Sequence, residues 1–341
     1  MEMQNLDWAN LGFSYIPTRS RYVSYYSNGA WDDGAMVSDE TLCLHESAGV
    51  LHYAQTCFEG LKAYRTPKGN IVVFRPELNA ERMKATCERL VMPEFPTERF
   101  CDAVDMVVKD NADFVPPYSS GATFYLRPYL FGSGIVFGIN PASEYTFRLF
   151  GTPVGSYVKT AGGSIRLMVS PYDRASPNGT GHVKAGLNYA MSLYAKYKAK
   201  NAGFTDNLYL DAATRTRVEE AGGANFLFVT KNNTIVTPKS STILPSITRR
   251  SLTHIASQYL GLRCEEREVL FSELHNFTEC ALCGTAAVLT PVASVSDSGK
   301  EIAFPDSREG MGPILKKMYD TLLAIQRGEI EGPEGWLHVV L

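Results

Sequence analysis

Tight-turn signals set between alternating aromatic and polar residues recur in both halves of the chain, and they commit it to a fold built on sheets. In "RYVSYYSNGAWDDGAMVS", Asn28-Gly29 and Asp33-Gly34 punctuate such an alternation and predict a hairpin. "LKAYRTPKGNIVVFR" predicts a second, turned by Pro67-Lys68-Gly69-Asn70, and "NFLFVTKNNTIVTP" a third. Helical patterns lie between. "PELNAERMKATCERLVMP" places Met83, Cys87 and Leu90 on one face with Asn79 as candidate N-cap, and another helix runs from about Glu98 to Phe114. "TFYLRPYLFGSG" and "EYTFRLFG" read as strands. Strands and helices do not alternate one for one, so this half is α+β.

The pattern breaks near Thr152-Pro153-Val154-Gly155. A chain of 341 residues suits two domains. The expected division is a small N-terminal α+β domain at 1–152, a linker at 153–163 and a larger strand-rich domain at 164–341. In the last, "SIRLMVS", "NLYLDAA" and "TRVEEAGG" read as strands, and "NYAMSLYAKYKAKNAG" as a helix ended by Gly203. A further helix starts near Pro245, residues 280–290 read as one apolar strand, and "PILKKMYDTLLAIQRG" is a last helix.

Net charge is −3 with both signs dispersed, which gives no electrostatic case for nucleic acid or an anionic membrane surface. The longest uncharged run opens at Cys280, contains Gly284 and Pro291, and is shorter than the ~20 residues of a membrane span. "MEMQNLDWAN" has no apolar core of a secretory signal, so a soluble cytoplasmic protein is expected. Seven cysteines, an odd number in mostly apolar surroundings, suit a reducing compartment. Cys280-Ala-Leu-Cys283 invites a zinc or thiol oxidoreductase reading. Zinc would need a second ligand pair, which the six histidines do not supply, so no metal is expected. In a buried strand these thiols are small hydrophobes.

"GTGHVKAGLNYA", residues 179–190, holds Lys184 as its only formal charge among Gly179, Gly181, Ala185 and Gly186. Most loop lysines are solvated, but this loop lacks the charge mixture of a solvent-facing one. A desolvated lysine is a nucleophile. "SSTILPSITRRSL" opens a helix whose first N–H groups would cradle phosphate, unless Ser246 or Thr248 simply caps it. "RVEEAGGANF" sets two carboxylates before a glycine bend. A buried one needs a cationic partner, and a protonated pyridine nitrogen would serve. Gly284-Thr285-Ala286 is either a bulged strand or an N–H receptor for a small anion. Arg127 in "TFYLRPY" pairs an internal acid or a carboxylate ligand. An amine, a phosphate seat, a carboxylate and two anion receptors are what a pyridoxal phosphate enzyme acting on amino acids requires.

From about Gly29 to Leu337 the chain resembles the branched-chain amino acid aminotransferases, fold-type IV pyridoxal 5'-phosphate enzymes. The resemblance rests on "LHYAQTCFEGLKAYR", "LNAERM", "YLRP", "VKAGLNYA", "EAGGANFLFV", "ILPSITR" and "CGTAAVLTPV", in that order. It implies the two-domain α+β / α/β architecture of that group and a homodimer with its active site near the interface. Transfer of the amino group between leucine, isoleucine or valine and 2-oxoglutarate, by ping-pong kinetics, is the implied activity. Lys184 is similar to the lysine that binds the cofactor covalently, and Arg82 to the phosphate-binding arginine. Leu244, Ile247, Thr248 and Thr285 match the rest of that seat, Tyr189 the tyrosine at the phenolic oxygen, and Glu220, not Glu219, the partner of the pyridine nitrogen. Thr285 and Ala286 match the receptor for the substrate α-carboxylate, and Phe58 a pocket wall. Tyr53, Tyr125 and Arg127 match residues that a dimer partner is expected to place over the site. Related D-amino acid aminotransferases and aminodeoxychorismate lyases share the lysine and glutamate, but "YLRPY" and "CFEGLKAY" favour the branched-chain class.

Overall fold

A computed structural model describes residues 4–155 and 163–341. The break expected at 153–163 thus falls largely on residues 156–162, outside the described residues. By internal contacts the chain divides into two units. The first takes Met1–Tyr157, Val183–Leu187 and Ala324–Leu341; the second takes Val158–His182 and Asn188–Leu323.

The first unit is a sheet of nine described strands: β1 (Arg21–Ser27), β2 (Ala30–Trp31), β3 (Ala35–Val37), β4 (Thr56–Phe58), β5 (Leu61–Arg65), β6 (Ile71–Phe74), β7 (Thr123–Gly132), β8 (Tyr145–Val154) and β18 (Leu337–Val339). Its order is β18-β6-β5-β7-β8-β1-β2, with β3 on β1 and β4 on β7. The predicted hairpins are there. Ser27 pairs Ala30 across Asn28 (φ 52°) and Gly29 (φ 84°), the two left-handed residues that a two-residue hairpin turn needs. Its helices are α1 (Gly49–Tyr53), α2 (Pro76–Arg89) and α3 (Thr97–Asp110). Asn79 does not cap α2. The helix starts a turn earlier, at Pro76, whose fixed φ suits the first helical position, and Asn79 is buried inside it. Met83 and Cys87 of α2, and Phe100, Val104 and Val107 of α3, pack onto the sheet residues Phe124, Leu126 and Phe147 in one core. Phe147 stacks on Phe95 with centroids 3.9 Å apart.

The second unit also has nine described strands: β9 (Ile165–Val169), β10 (Asp206–Leu210), β11 (Val218–Ala221), β12 (Asn225–Thr230), β13 (Ile235–Pro238), β14 (Cys264–Arg267), β15 (Phe277–Gly284), β16 (Val288–Asp297) and β17 (Lys300–Ala303). They run β11-β10-β9-β16-β15-β12-β13-β14, with β17 on β16. The helices are α4 (Gly186–Asn201), α5 (Ile247–Gln258) and α6 (Pro313–Gln326), α4 starting before the unit boundary and α6 ending beyond it. The single strand expected at 280–290 is instead the hairpin β15–β16, turned by Thr285–Ala287. Val288 closes that turn at φ 54°, rare for a β-branched residue. Apolar side chains on both limbs hide the turn from periodicity. No helix among the described residues is long and apolar enough to cross a membrane.

Phe147 is fully buried and touches aromatic rings on three sides, so Phe147→Ala leaves a cavity that rigid neighbours cannot fill. A loss of about 3–5 kcal/mol is expected, read as a lowered urea midpoint by circular dichroism. An unchanged midpoint would show that this aromatic cluster is not what holds the first sheet to its helices.

Candidate active site

Lys184 sits in the short segment Val183–Leu187 that packs with the first unit. Its backbone is fixed from both sides. Its N–H donates to Thr86 Oγ1 (3.1 Å) on α2, and its carbonyl accepts from Phe58 N (3.2 Å), while Ala185 bridges Cys57. A Cβ on Gly186 would stand 3.1 Å from Thr56 Cγ2, so a glycine lets this segment lie against β4. Lys184 Nζ lies 4.8 Å from the centre of the Phe58 ring, and the Arg127 guanidinium lies 5.0 Å from the same centre. Arg127 also lies over Tyr125 (5.3 Å), with Nη2 3.4 Å from the tyrosine oxygen. Its buried Nε meets no hydrogen-bond acceptor among the described residues.

Lys184, Phe58, Tyr125 and Arg127 therefore share one aromatic wall within a single chain. β7 carries Tyr125 and Arg127, expected to reach over a partner's site, to the wall that β4 builds around Phe58 in their own chain. Tyr53 stands elsewhere, exposed on α1, its hydroxyl donating to the Phe137 carbonyl at 2.8 Å.

One turn before Thr86 on α2, Arg82 forks onto Glu59 through Nε and Nη2, both at 2.8 Å. Glu59 is fully buried and also accepts from Asn79 Nδ2 at 2.8 Å. Glu59 has no role in the sequence reading, although it stands within "CFEGLKAYR". The signal that could have found it is a lone acid in an apolar strand context, which demands a cation.

In the second unit Glu219 and Glu220 are adjacent on β11 and both buried, and strand alternation sends them to opposite faces. Glu220 accepts from Arg174 Nη2 (2.7 Å), Asn225 Nδ2 (2.6 Å) and Leu244 N (3.0 Å). Its cationic partner is thus in the protein. Arg174, itself buried, also donates to the carbonyls of Gly181 and Thr242. Any Cβ at Gly181 would strike that Thr242 carbonyl and the guanidinium. Arg174 escapes a sequence reading because "PYDRASPN" has no periodicity to mark it as buried. Thr180 and Asn188, which flank Lys184 in the chain, bond each other twice, at 2.8 and 2.7 Å. Tyr189 follows on α4, half-buried.

Ser246 caps α5, its hydroxyl accepting from Arg249 N at 3.1 Å. The capping reading of "ILPSITR" is therefore correct. Ile247 and Thr248 are buried in the first turn of α5, where backbone N–H groups have no acceptor from the preceding turn of a helix. A buried helix start suits an anion. Thr285 and Ala286 lie half-buried in the β15–β16 turn. Cys280 and Cys283, three apart on β15, face opposite sides of the strand. Burial pushes the Cys280 thiol well up and that of Cys283 to about 12. Neither is a thiolate near neutrality, which removes the oxidoreductase reading.

The fold and these groups define a transaminase class: residues 56–295 match the family amino-transferase class IV. A branched-chain-amino-acid aminotransferase of Haemophilus influenzae is 49% identical over 98% of this chain and 99% of its own length. The chain belongs to the branched-chain-amino-acid aminotransferase family. The solved branched-chain amino acid aminotransferase of Escherichia coli superposes with a TM-score of 0.80 at 28% identity, over 94% of this chain and all of that one. A second solved enzyme of that name, from the source abbreviated T.th. and complexed with N-(5'-phosphopyridoxyl)-L-glutamate, gives 0.77 at 27% identity, over 96% of this chain and all of that one.

Replacing Arg174 by Met strands the Glu220 charge in the protein interior. Breaking a buried pair from one side costs about 3–5 kcal/mol, so Arg174→Met should lower thermal stability sharply, and adding Glu220→Gln should restore part of the loss. A double variant no more stable than Arg174→Met would mean that the two side chains are not energetically paired.

Proposed function

We propose that the chain exchanges amino groups between leucine, isoleucine or valine and 2-oxoglutarate, with pyridoxal 5'-phosphate as its cofactor. The stretch Leu244–Thr248 carries this reading. Leu244 N–H holds Glu220, and three residues on, Ile247 and Thr248 present the first N–H groups of a helix. One short segment thus both holds the ring-nitrogen acceptor of β11 and offers a phosphate seat. The phosphopyridoxyl–glutamate adduct in the relative supports both the cofactor and glutamate as amino donor.

When bound, the cofactor supplies a carbonyl that accepts the amino group and an electron sink for charge left at the substrate Cα. Lys184 would hold it covalently, and its amine, when free, would move the proton at the substrate Cα. Glu220, charge-balanced by Arg174, keeps a proton on the ring nitrogen. Arg82, Ile247, Thr248 and Thr285 hold the phosphate, with Glu59 orienting Arg82, and Tyr189 binds the phenolic oxygen. Leu244, assigned to the cofactor seat by resemblance, acts through Glu220. Thr285 and Ala286 receive the substrate α-carboxylate. With one carrier for the amino group, the two half-reactions follow in turn.

Phe58 and Tyr125 give an apolar wall for branched side chains, and Arg127 faces the second carboxylate of glutamate. The working form is a homodimer. Ile135, Phe137 and Ile139 are 63%, 94% and 89% exposed, and Tyr53 is bonded to their loop, which is a contiguous apolar surface suited to a second copy. The domain division at 153–163 is retained for the same chain.

Borohydride reduction of the yellow holoenzyme followed by peptide mapping should find the cofactor adduct on Lys184. An adduct on another lysine would end this reading. Arg127→Gln should cost about one to two decades in kcat/KM for glutamate, the equivalent of a lost charge-assisted pair of ~1.5–3 kcal/mol, and little for leucine. Equal losses in single-turnover assays of the two would assign Arg127 to the wall's integrity instead.

A further inference from the structure

On the face of β11 opposite Glu220, the second unit holds a cavity of about 240 Å³. Its chemistry is mixed rather than uniformly charged. At its inner side stands Glu219, only 3% exposed, whose Oε1 accepts from the hydroxyls of Ser240 (3.2 Å) and Thr242. No donor among the described residues reaches Oε2. Arg217 and Lys239 line the same space, with apolar surface from Pro177 and Val218. Arg217 is fixed in place: Asp211 Oδ1 accepts its N–H at 2.8 Å, and its Nε pairs Glu268 at 3.1 Å. The Lys239 ammonium has no acidic partner within ion-pair reach among the described residues.

We propose that this cavity binds a small aliphatic α-amino acid as its zwitterion, apart from the transamination site. Glu219 Oε2 takes the ammonium, Arg217 and Lys239 take the carboxylate, and the side chain lies against Pro177 and Val218. Glu219 Oε2 carries negative charge beside the cavity with no protein donor among the described residues, and an ammonium would give it a charge-assisted partner. Asp211 and Glu268 also line the space, Glu268 paired to Arg217, so a simple anion would meet repulsion from Glu219 and a simple cation would leave the Lys239 ammonium without a counter-charge. The volume is sufficient for an amino acid of leucine size. Occupancy reports directly to the catalytic segment, because Thr242, bonded to Glu219, also offers its carbonyl to Arg174, and Leu244 holds Glu220.

The test is calorimetric titration of borohydride-reduced holoenzyme with L-leucine, in parallel with 4-methylpentanoate, which lacks the ammonium, and 3-methylbutylamine, which lacks the carboxylate. Leucine should bind once per chain, and each half-ligand at least tenfold more weakly. Glu219→Gln and Lys239→Met should each raise the leucine Kd at least tenfold with the circular dichroism spectrum unchanged. Lys239 is exposed, so its variant folds even where the Glu219 one does not. Leucine binding that survives both substitutions, or half-ligands that bind as tightly as leucine, would overturn the proposal. Failure of reduction to fix an absorbance band tells against the cofactor reading alone, since the two variants are scored on binding.

Discussion

Much of the second unit is arranged around one buried ion pair. Taking Glu220 and Arg174 out of water costs several kcal/mol for each ion, and their attraction offsets this only when the remaining donors and acceptors are also met. Asn225 and Leu244 N–H serve the carboxylate's side, and the carbonyls of Gly181 and Thr242 the Nη2 end of the guanidinium, whose buried Nε meets no acceptor among the described residues. Satisfying the pair therefore fixes three separate stretches of chain: β11, the segment that leads into α5, and the residues that lead to Lys184. The glycine at 181 follows from this. Its α-carbon must come so near the guanidinium and the Thr242 carbonyl that no side chain fits.

The first unit repeats the device with different residues. Glu59, fully buried, is met by Arg82 and Asn79, both from α2. The same helix offers Thr86 Oγ1 to the Lys184 N–H. A helix interior thus does work that loops more often do, and it does so rigidly. Asn79 shows why a polar residue near a helix start need not cap it: its side chain is needed for a buried acid a turn into the helix, and Pro76 is enough to start that helix.

What is legible in the sequence follows the range of the forces involved. Hairpins turned by Asn28-Gly29 and Lys68-Gly69 are visible because turn conformation is set by adjacent residues. The start of α5 is visible for the same reason. The β15–β16 turn is not, since Thr285–Ala287 lacks turn residues and is set by pairing between its limbs. β18 goes unseen because its pairing with β6 is specified by residues more than 250 positions away. At the site, the charged or anion-binding positions Lys184, Arg127 and Glu220 stand out as chemical oddities in apolar or glycine-rich sequence. Their holders, Arg174, Asn225 and Thr86, look ordinary in sequence and become meaningful only through tertiary contacts.

The Phe58 wall shows how one surface can be apolar and yet suit an anion. An aromatic face attracts a cation by its quadrupole, with about 0.5–2 kcal/mol per contact depending on desolvation. Lys184 and Arg127 can therefore both lie within 5.0 Å of the ring centre, and for Arg127 no acid among the described residues forms an ion pair. Had Arg127 been held by a carboxylate, as Arg82 is by Glu59, its charge would be spent inside the protein. Held by rings, it keeps a hydrogen-bonding edge, and its buried Nε has no acceptor of its own among the described residues. A methyl group meets the rings and disturbs nothing, while a carboxylate finds a guanidinium whose charge is uncancelled. Aromatic neighbours in place of acidic ones would let a single pocket, as proposed, take both kinds of side chain.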